Sequence, residues 1–472
     1  MDKDLSWHSE APTLREDSTT QCWLFEDLAK RPVTVRFDQE RGSSDGGAVL
    51  LGAADRRLGL SDALASCIRD GRDHERVVHE ISDLVRQRVY GIACGYPDGN
   101  DAARLCADPV HKLVVGRDPV GEDDLASQPT LSRFENGAGR ADLFRMGEAL
   151  AERVIARHRR RRRGRARVVT IDLDPTDDPA HGEQQLALFN GYYGQWCYLP
   201  LLGFVSFDDE ADQYLVTAVL RPGNSPDKRG ALGVLSRLLP RLRAAFPKAR
   251  FRVRLDAGFA APDVLDFLDE QGDVDYAVAM GKNSILVKRA RRHMARARRL
   301  SRESDKTEHV YAETLYAAKT WSRRRRIIIK AEVTRHPGRD PKDNPRFVIT
   351  NMTQTPRWVY ERFYCHRGDI ENRIKELHHG LEIDRTSCSR FLANQLRVFL
   401  TAAAYVLMQE LRLRAARTKL SRAQVSTLRD ALLKVGARVQ SSVRRIVLRL
   451  PTTFPYDHAW GTVARSLGAA PG

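Results

Sequence analysis

Residues Arg167–Asp174 read "RVVTIDLD". Val169, Ile171 and Leu173 alternate with Thr170, Asp172 and Asp174. That two-residue period is the pattern of a strand with one face in a core and one polar face, and here the polar face ends on two carboxylates. Outward from it, "WCYLPLLGFVSF" and "QYLVTAVLRPG" read as two further strands, the second stopped by Pro222-Gly223. A helix, "KRGALGVLSRLLPRLRAAF", then leads to the strand "RFRVRLDAGF", which ends at Asp256. The helix "APDVLDFLDEQG" and the strand "VDYAVAM" follow. Three consecutive strands, then alternating helix and strand, predict an α/β domain built on a mixed sheet.

Upstream, residues 1–166 are mainly helical in period after a short strand at "VTVRF"; with no strict helix-turn-helix signature, their basic charge and their position alone make them the expected N-terminal DNA-binding region. In "SQPTLSRFEN", Ser127 or Thr130 is placed to cap a helix. The region closes on "RHRRRRRGRAR", Arg157–Arg167. Like charges at this density repel, so the run, with Arg159, Arg160, Arg161, Arg162 and Arg163 at its centre, needs solvent or phosphate beside it. A flexible linker and a DNA-backbone contact both satisfy that need. The first part of the α/β core spans residues 167–283. Residues 284–347 are expected to form a basic β-rich insertion, opening on "VKRARRHMARARRLSR" and continuing in strands at "HVYAETLYAAKTW", "RRIIIKAEVTR" and "PRFVITNM". The last of these strands can already belong to the main sheet. The second part of the core covers 348–416, and a tail, 417–472, adds one more helix and a strand-like "SSVRRIVLRL".

At 472 residues the chain has room for roughly three domain-sized units. The formal net charge of +17 favours a polyanionic partner, as clustered Lys and Arg do in nucleic-acid-binding proteins. No run of 18 apolar residues is present, and the N-terminus is too polar for a signal peptide. Cys22, Cys67, Cys94, Cys106, Cys197, Cys365 and Cys388 are odd in number and never form CxxC, which suits a reducing cytoplasm better than a disulfide framework or a zinc knuckle. Neither HExxH nor GxxxxGK[ST] occurs.

"YCHRGDIENRIKELHHG", Tyr364–Gly380, has a helical period. Thr355-Pro356 is placed to start this helix and Gly380 to stop it. Phe363, Ile370, Ile374 and Leu377 make an apolar stripe; Tyr364, Arg367, Glu371, Lys375 and His378 fall within an arc of roughly 80° beside it. A solvated face with i,i+4 pairs such as Glu371–Lys375 would look the same. The rest of the chain supplies the contrast: Asp172 or Asp174 at one strand end and Asp256 at another, where loops open a crevice at the edge of an α/β sheet. Carboxylates gathered in a DNA-binding protein need a cation, and hard oxygen donors suit Mg²⁺ or Mn²⁺. Two such ions can hold the attacking and leaving oxygens of an in-line phosphoryl displacement.

The blocks "TIDLDPTDDPAHGEQQLALFNGYYGQWCYLPLLGF", "VLRPGNSPDKRGA", "RVRLDAGF" and "YCHRGDIENRIKELHHGLEIDRTSCSRFLANQLRVFLTAAAYVL" resemble a DDE transposase of a bacterial insertion sequence, over most of residues 168–407. The resemblance implies an RNase H-like core interrupted by a β-rich insertion before the last acid. It also implies Mg²⁺- or Mn²⁺-dependent strand cleavage and transfer, with double-stranded DNA (terminal inverted repeats and target) as partner. A homodimer on paired ends and a cytoplasmic, nucleoid-associated location follow from the same likeness.

Asp174, Asp256 and Glu371 match the catalytic, metal-holding acids. Asp174 is preferred because Asp174-Pro175-Thr176 fits the family's first motif, and Asp172 is the alternative. Tyr364, Arg367 and Glu371 fit the spacing of a Tyr-Arg-Glu-Lys signature, but His378 stands where the Lys belongs, and Lys375 one turn earlier is the other candidate for phosphate contact. His181 is expected to be structural, Trp196 to be a core aromatic, and Trp321 is open to either packing or base stacking. A metal-dependent nuclease or resolvase on the same core, and a transposase-derived DNA-binding protein without catalysis, are the competing functions.

Overall fold

The computed structural model describes residues 22–470 except 122 and 181, so His181 lies outside the described residues. The alternating pattern at Arg167–Asp174 becomes β1 (Val168–Pro175), and the strands predicted after it become β2 (Leu201–Phe207), β3 (Tyr214–Val219), β4 (Arg250–Leu255) and β5 (Val274–Met280). They lie in the order β3-β2-β1-β4-β5. β1, β4 and β5 run parallel; β2 is antiparallel to both of its neighbours, β1 and β3, so it alone of the five is reversed. This is the mixed sheet of an RNase H-like core.

"WCYLPLLGFVSF" is not one strand. Pro200 has no N–H to give to a ladder, and the segment splits there. Gln195–Tyr198 pairs with Leu188–Asn190 and with Asp178–Pro179 in a small separate sheet, and only Leu201–Phe207 enters the main one.

The stretch after β5 extends the same sheet instead of standing apart. β6 (Glu308–Tyr316), β7 (Arg325–Thr334) and β8 (Arg346–Thr350) continue it in the order β5-β8-β7-β6, with β8 hydrogen-bonded directly to β5. A two-residue strand, Lys342–Asp343, pairs with β7.

Six helices place the site. Arg140–Arg162 (α1) ends the N-terminal region, so the arginine run is helical through Arg162 and only its last five residues, 163–167, form a short turn into β1. Ala231–Ala245 (α2) and Pro262–Glu270 (α3) connect strands of the core. Ser284–Ser304 (α4), the basic piece, buries only Leu286, Ala290, Met294, Ala297 and Ser301. Asp369–Lys375 (α5) carries Glu371.

Phe391–Arg414 (α6) is long and apolar enough by length and composition to cross a membrane, but it is buried within the fold. Its Gln395 and Gln409 reach the edge strand β3: the Oε1 atoms accept from Leu220 N (2.7 Å) and Leu215 N (3.2 Å), and the Nε2 atoms donate to Ala218 O (3.2 Å) and Gln213 O (2.7 Å). An exposed sheet edge is thereby capped by side chains.

The tail returns to the N-terminal region. Ala437–Ser442 pairs with Arg445–Arg449 and with Gly42–Ser43, so "SSVRRIVLRL" spans a hairpin turn. Ser127 stands at the N-cap position of Gln128–Gly137 without a side-chain cap bond, and its hydroxyl lies 3.4 Å from that of Thr130.

Candidate active site

β1 and β4 are adjacent and parallel, with Asp172 in register with Arg254. Residues just beyond that register therefore emerge together at one sheet edge. Asp174 on β1 and Asp256, which caps the turn after β4, come to the same place. One nitrogen of Arg367 joins them: Nη2 donates to Asp174 Oδ1 at 2.6 Å and lies 3.4 Å from Asp256 Oδ2.

Burial pushes the Asp174 carboxyl up. Arg367 opposes that, and the charges of Asp256, Glu371 and Asp172 add to it, leaving it at about 7. Burial and the charge of Asp227 likewise raise Asp256, against Arg367 and against hydrogen bonds from the Gly258 and Phe259 amides. Such a group of acids calls for a cation.

Asp172 points to the same face of β1 but is fully buried, and both of its oxygens accept from Arg254, each at 2.7 Å. Arg254 also donates to Phe363 O at 3.2 Å. Asp172 is the anchor beneath the site, and Asp174 is the carboxylate that faces Asp256.

The chain carrying Glu371 is less regular than its period predicts. It winds widely over Trp358–Tyr364, tightens over Cys365–Gly368, is α-helical over Asp369–Lys375, and widens again over Glu376–Gly380. Thr355 starts it, with its Oγ1 3.4 Å from Trp358 N. Gly380 does not stop it by its own backbone angle. A Cβ at Gly380 would lie 3.1 Å from Val425 Cβ, so its small size admits the tail.

Glu371 and Lys375 are exposed, Tyr364 is half-buried, and Arg367 turns inward. Lys375 has no protein partner among the described residues. His378 is engaged on both ring nitrogens, Nε2 with Thr176 Oγ1 at 2.9 Å and Nδ1 facing Asp384 at 3.3 Å. It therefore ties this helix to the loop after Asp174. Glu376, which the sequence pattern did not single out, is buried and accepts from Tyr405 Oη and Arg412 Nη2, each at 2.7 Å, with Arg373 at 3.1 Å. It fixes the Glu371 helix to α6.

A second residue missed in the sequence is Asp227. Its loop is held by the buried Arg221, which donates to the carbonyls of Leu199 (2.7 Å), Asp227 (2.7 Å) and Arg229 (2.9 Å). The Asp227 side chain lies where a Cβ on Gly258 would be. Gly258→Ala should therefore cost about 1–3 kcal/mol through overpacking and displace Asp256. Chemical denaturation together with DNA cleavage would check this, and an unperturbed variant in both would refute the packing argument.

Of the arginine run, Arg159, Arg160 and Arg163 are exposed. Arg161 pairs with Glu210 at 2.7 Å and lies over the Tyr214 ring, and Arg162 pairs with Asp208 and Glu210. Trp196 is not a core residue. It is 60% exposed on the hairpin that follows β1, edge-on to Phe189, with Tyr192 exposed at the tip. Trp321 is half-buried, edge-on to Tyr316 with the Arg325 guanidinium 5.0 Å from its ring centre.

Asp174, Asp256 and Glu371 offer oxygen donors alone, and the Arg367 guanidinium already stands between the first two; the donor set fits a hard divalent ion. As they stand they are not at ligand distance from one another. Among the described residues, Asp45, Cys94 and His111 are the one set whose ligand atoms all lie within 4.8 Å. In that set the Asp45 carboxylate is already shared by His111 Nε2 at 2.9 Å and Lys434 Nζ at 2.7 Å, and burial pushes the Cys94 thiol up. Through Lys434 the cluster holds the tail to the N-terminal region.

The family model described as "Transposase DDE domain group 1" matches residues 25–471, and the chain belongs to this family of DDE transposases. Such a chain is a DNA transposase, and its family typically works with a divalent metal. No curated protein matches it. Among solved structures, the cryo-EM structure of the piggyBac transposase synaptic complex with hairpin DNA is similar, with 10% sequence identity and a TM-score of 0.41 over 78% of this chain and 75% of that one.

Proposed function

We propose that the chain is the transposase of a bacterial insertion sequence of the Tyr-Arg-Glu-Lys signature group. It binds the terminal inverted repeats of its element in the cytoplasm, cuts at the ends, and joins the freed strands to target DNA. The observation that carries this reading is the meeting of Asp174 and Asp256 at the ends of adjacent parallel strands, bridged by Arg367 from the signature helix.

Asp174, Asp256 and Glu371 would hold Mg²⁺ or Mn²⁺. Bound there, the ion supplies Lewis-acid stabilisation of the phosphoryl oxygens and an activated oxygen nucleophile, water or a DNA 3′-hydroxyl. The chain's own residues position the strand. Arg367 offers a planar fork to a phosphate, Tyr364 lies beside it, and exposed Lys375 offers a point charge. Arg159, Arg160 and Arg163 extend the backbone contact away from the site, and the open rings of Trp196 and Tyr192 suit unpaired bases. Cutting two ends together calls for two copies of the chain.

Lys375→Ala should flatten the slope of log affinity against log salt by about one unit. His378→Ala should leave that slope unchanged and lower stability, because its ring nitrogens are bonded within the protein. A changed slope for His378→Ala with none for Lys375→Ala would reverse the assignment. By the same reasoning, replacing Arg159, Arg160 and Arg163 together should flatten the slope by up to about three units. Arg161→Ala and Arg162→Ala should act mainly on stability. An unchanged slope for the triple variant would remove the run from the DNA contact.

The reading is tested by incubating the purified chain with Mg²⁺ and a duplex bearing the inverted repeats that flank its coding region. Nicks at the element ends and strands joined to target DNA are expected. Cleavage without joining would favour a nuclease or resolvase, and binding without cleavage a DNA-binding derivative.

A further inference from the structure

Two buried arginines serve the carboxylates of this site, and they are bonded differently. Arg254 is fully used: Nε and Nη2 hold both oxygens of Asp172, and Nη1 holds Phe363 O. Arg367 reaches Asp174 and Asp256 through Nη2 alone, at 2.6 and 3.4 Å. Its side chain is only 13% exposed, and its buried Nε has no hydrogen-bond partner. A guanidinium that gives one nitrogen to two carboxylates and leaves a buried N–H orphaned is under-used, because its planar fork is suited to bidentate acceptors.

The backbone beneath it is also poised to shift. Arg367 sits in the tight turn Cys365–Gly368, between a wide turn and α5. Changes of winding of this kind within a helical segment mark hinges. Gly368 faces open space, with nothing within 4 Å of where its Cβ would be.

We propose that Arg367 is a cationic latch. In the DNA-free chain its guanidinium occupies the oxygens of Asp174 and Asp256 and competes with a divalent ion for them; a DNA phosphate, which accepts from Nε and Nη2 together, draws it away. This rests on the reading above that these carboxylates hold the metal. Arg367 is thus a positioning residue with two alternative partners. Because the guanidinium and the ion compete for the same oxygens, whatever removes the one favours the other. By linkage, DNA and metal then strengthen each other's binding, and metal loading is coupled to the presence of substrate.

The test is Mn²⁺ binding to the full chain without DNA, followed by the electron paramagnetic resonance signal of the free ion. Wild type, Arg367→Gln and Arg367→Lys are each measured with and without Asp256→Asn. Arg367→Gln should bind Mn²⁺ at least about tenfold tighter than wild type, the size of a modest coupling between sites, and Asp256→Asn should abolish the gain. Arg367→Lys keeps a charge but has no fork to span both carboxylates. It should fall between the two, and it carries the test alone if the glutamine variant does not fold. Equal, Asp256-dependent binding in wild type and both variants would overturn the latch and leave the metal reading standing. No Asp256-dependent binding in any of them would overturn both.

Discussion

Asp256→Asn is expected to remove strand cleavage by about a thousandfold or more while leaving affinity for the element's ends nearly unchanged. A metal ion contributes several kcal/mol to stabilising phosphoryl charge in the transition state, and each ~1.4 kcal/mol is a factor of ten in rate. Asp256 is one of the two carboxylates gathered at the ends of β1 and β4. Of the cations assigned to DNA, Lys375, Arg159, Arg160 and Arg163 are exposed and do not lean on it, and Arg367, which does, keeps its shorter bond to Asp174. Removing the carboxylate therefore strips the chemistry and spares the electrostatic attraction. Gel-shift affinity and end-cleavage rate, measured on the same preparation, separate the two effects. A loss of binding in proportion to the loss of cleavage would make Asp256 a structural residue instead.

Glu376→Ala is expected to give the largest loss of stability. Glu376 is buried and neutralises Arg412, pairs with Arg373 and accepts from Tyr405. Truncating it leaves the buried Tyr405 hydroxyl without its acceptor and the buried Arg412 with only Asp212, 3.7 Å away. Breaking a buried ion pair from one side costs about 3–5 kcal/mol. Glu376→Gln, which keeps an acceptor, should cost less. Equilibrium denaturation measures both variants. If Glu376→Ala unfolds at the same denaturant concentration as the parent, the Glu371 helix is not held to α6 through this contact.

Much of the core was legible because its strands announce themselves by period and by punctuation. Val169–Asp174 alternates strictly, and β5 coincides with "VDYAVAM". The choice between Asp172 and Asp174 stayed open in the sequence because both lie on one face of one strand. What separates them is Arg254, on the same register of the neighbouring strand. A signal existed: "RFRVRL" places Arg250, Arg252 and Arg254 along one face of a strand between apolar neighbours, and an arginine buried there needs a carboxylate opposite.

Other features depended on contacts across long stretches of chain. His378 reads as a substitute for a signature lysine until Thr176 is seen bonded to it. Arg161 and Arg162 read as free charge until the acidic loop Asp208–Glu210 is folded against them. Trp196 looked like a core residue because "WCYLPLLGF" is apolar. The turn residues of "NGYYG" just before it, and Pro200 after it, were the cues to an exposed hairpin.

The most direct test of the account is where Mn²⁺ binds. Anomalous diffraction from crystals of the chain with its DNA ends, grown in Mn²⁺, should place the ion between Asp174 and Asp256 with Glu371 turned toward it and Arg367 moved to a phosphate. Manganese found at Asp45, Cys94 and His111 instead, with the guanidinium of Arg367 still seated between Asp174 and Asp256, would contradict it.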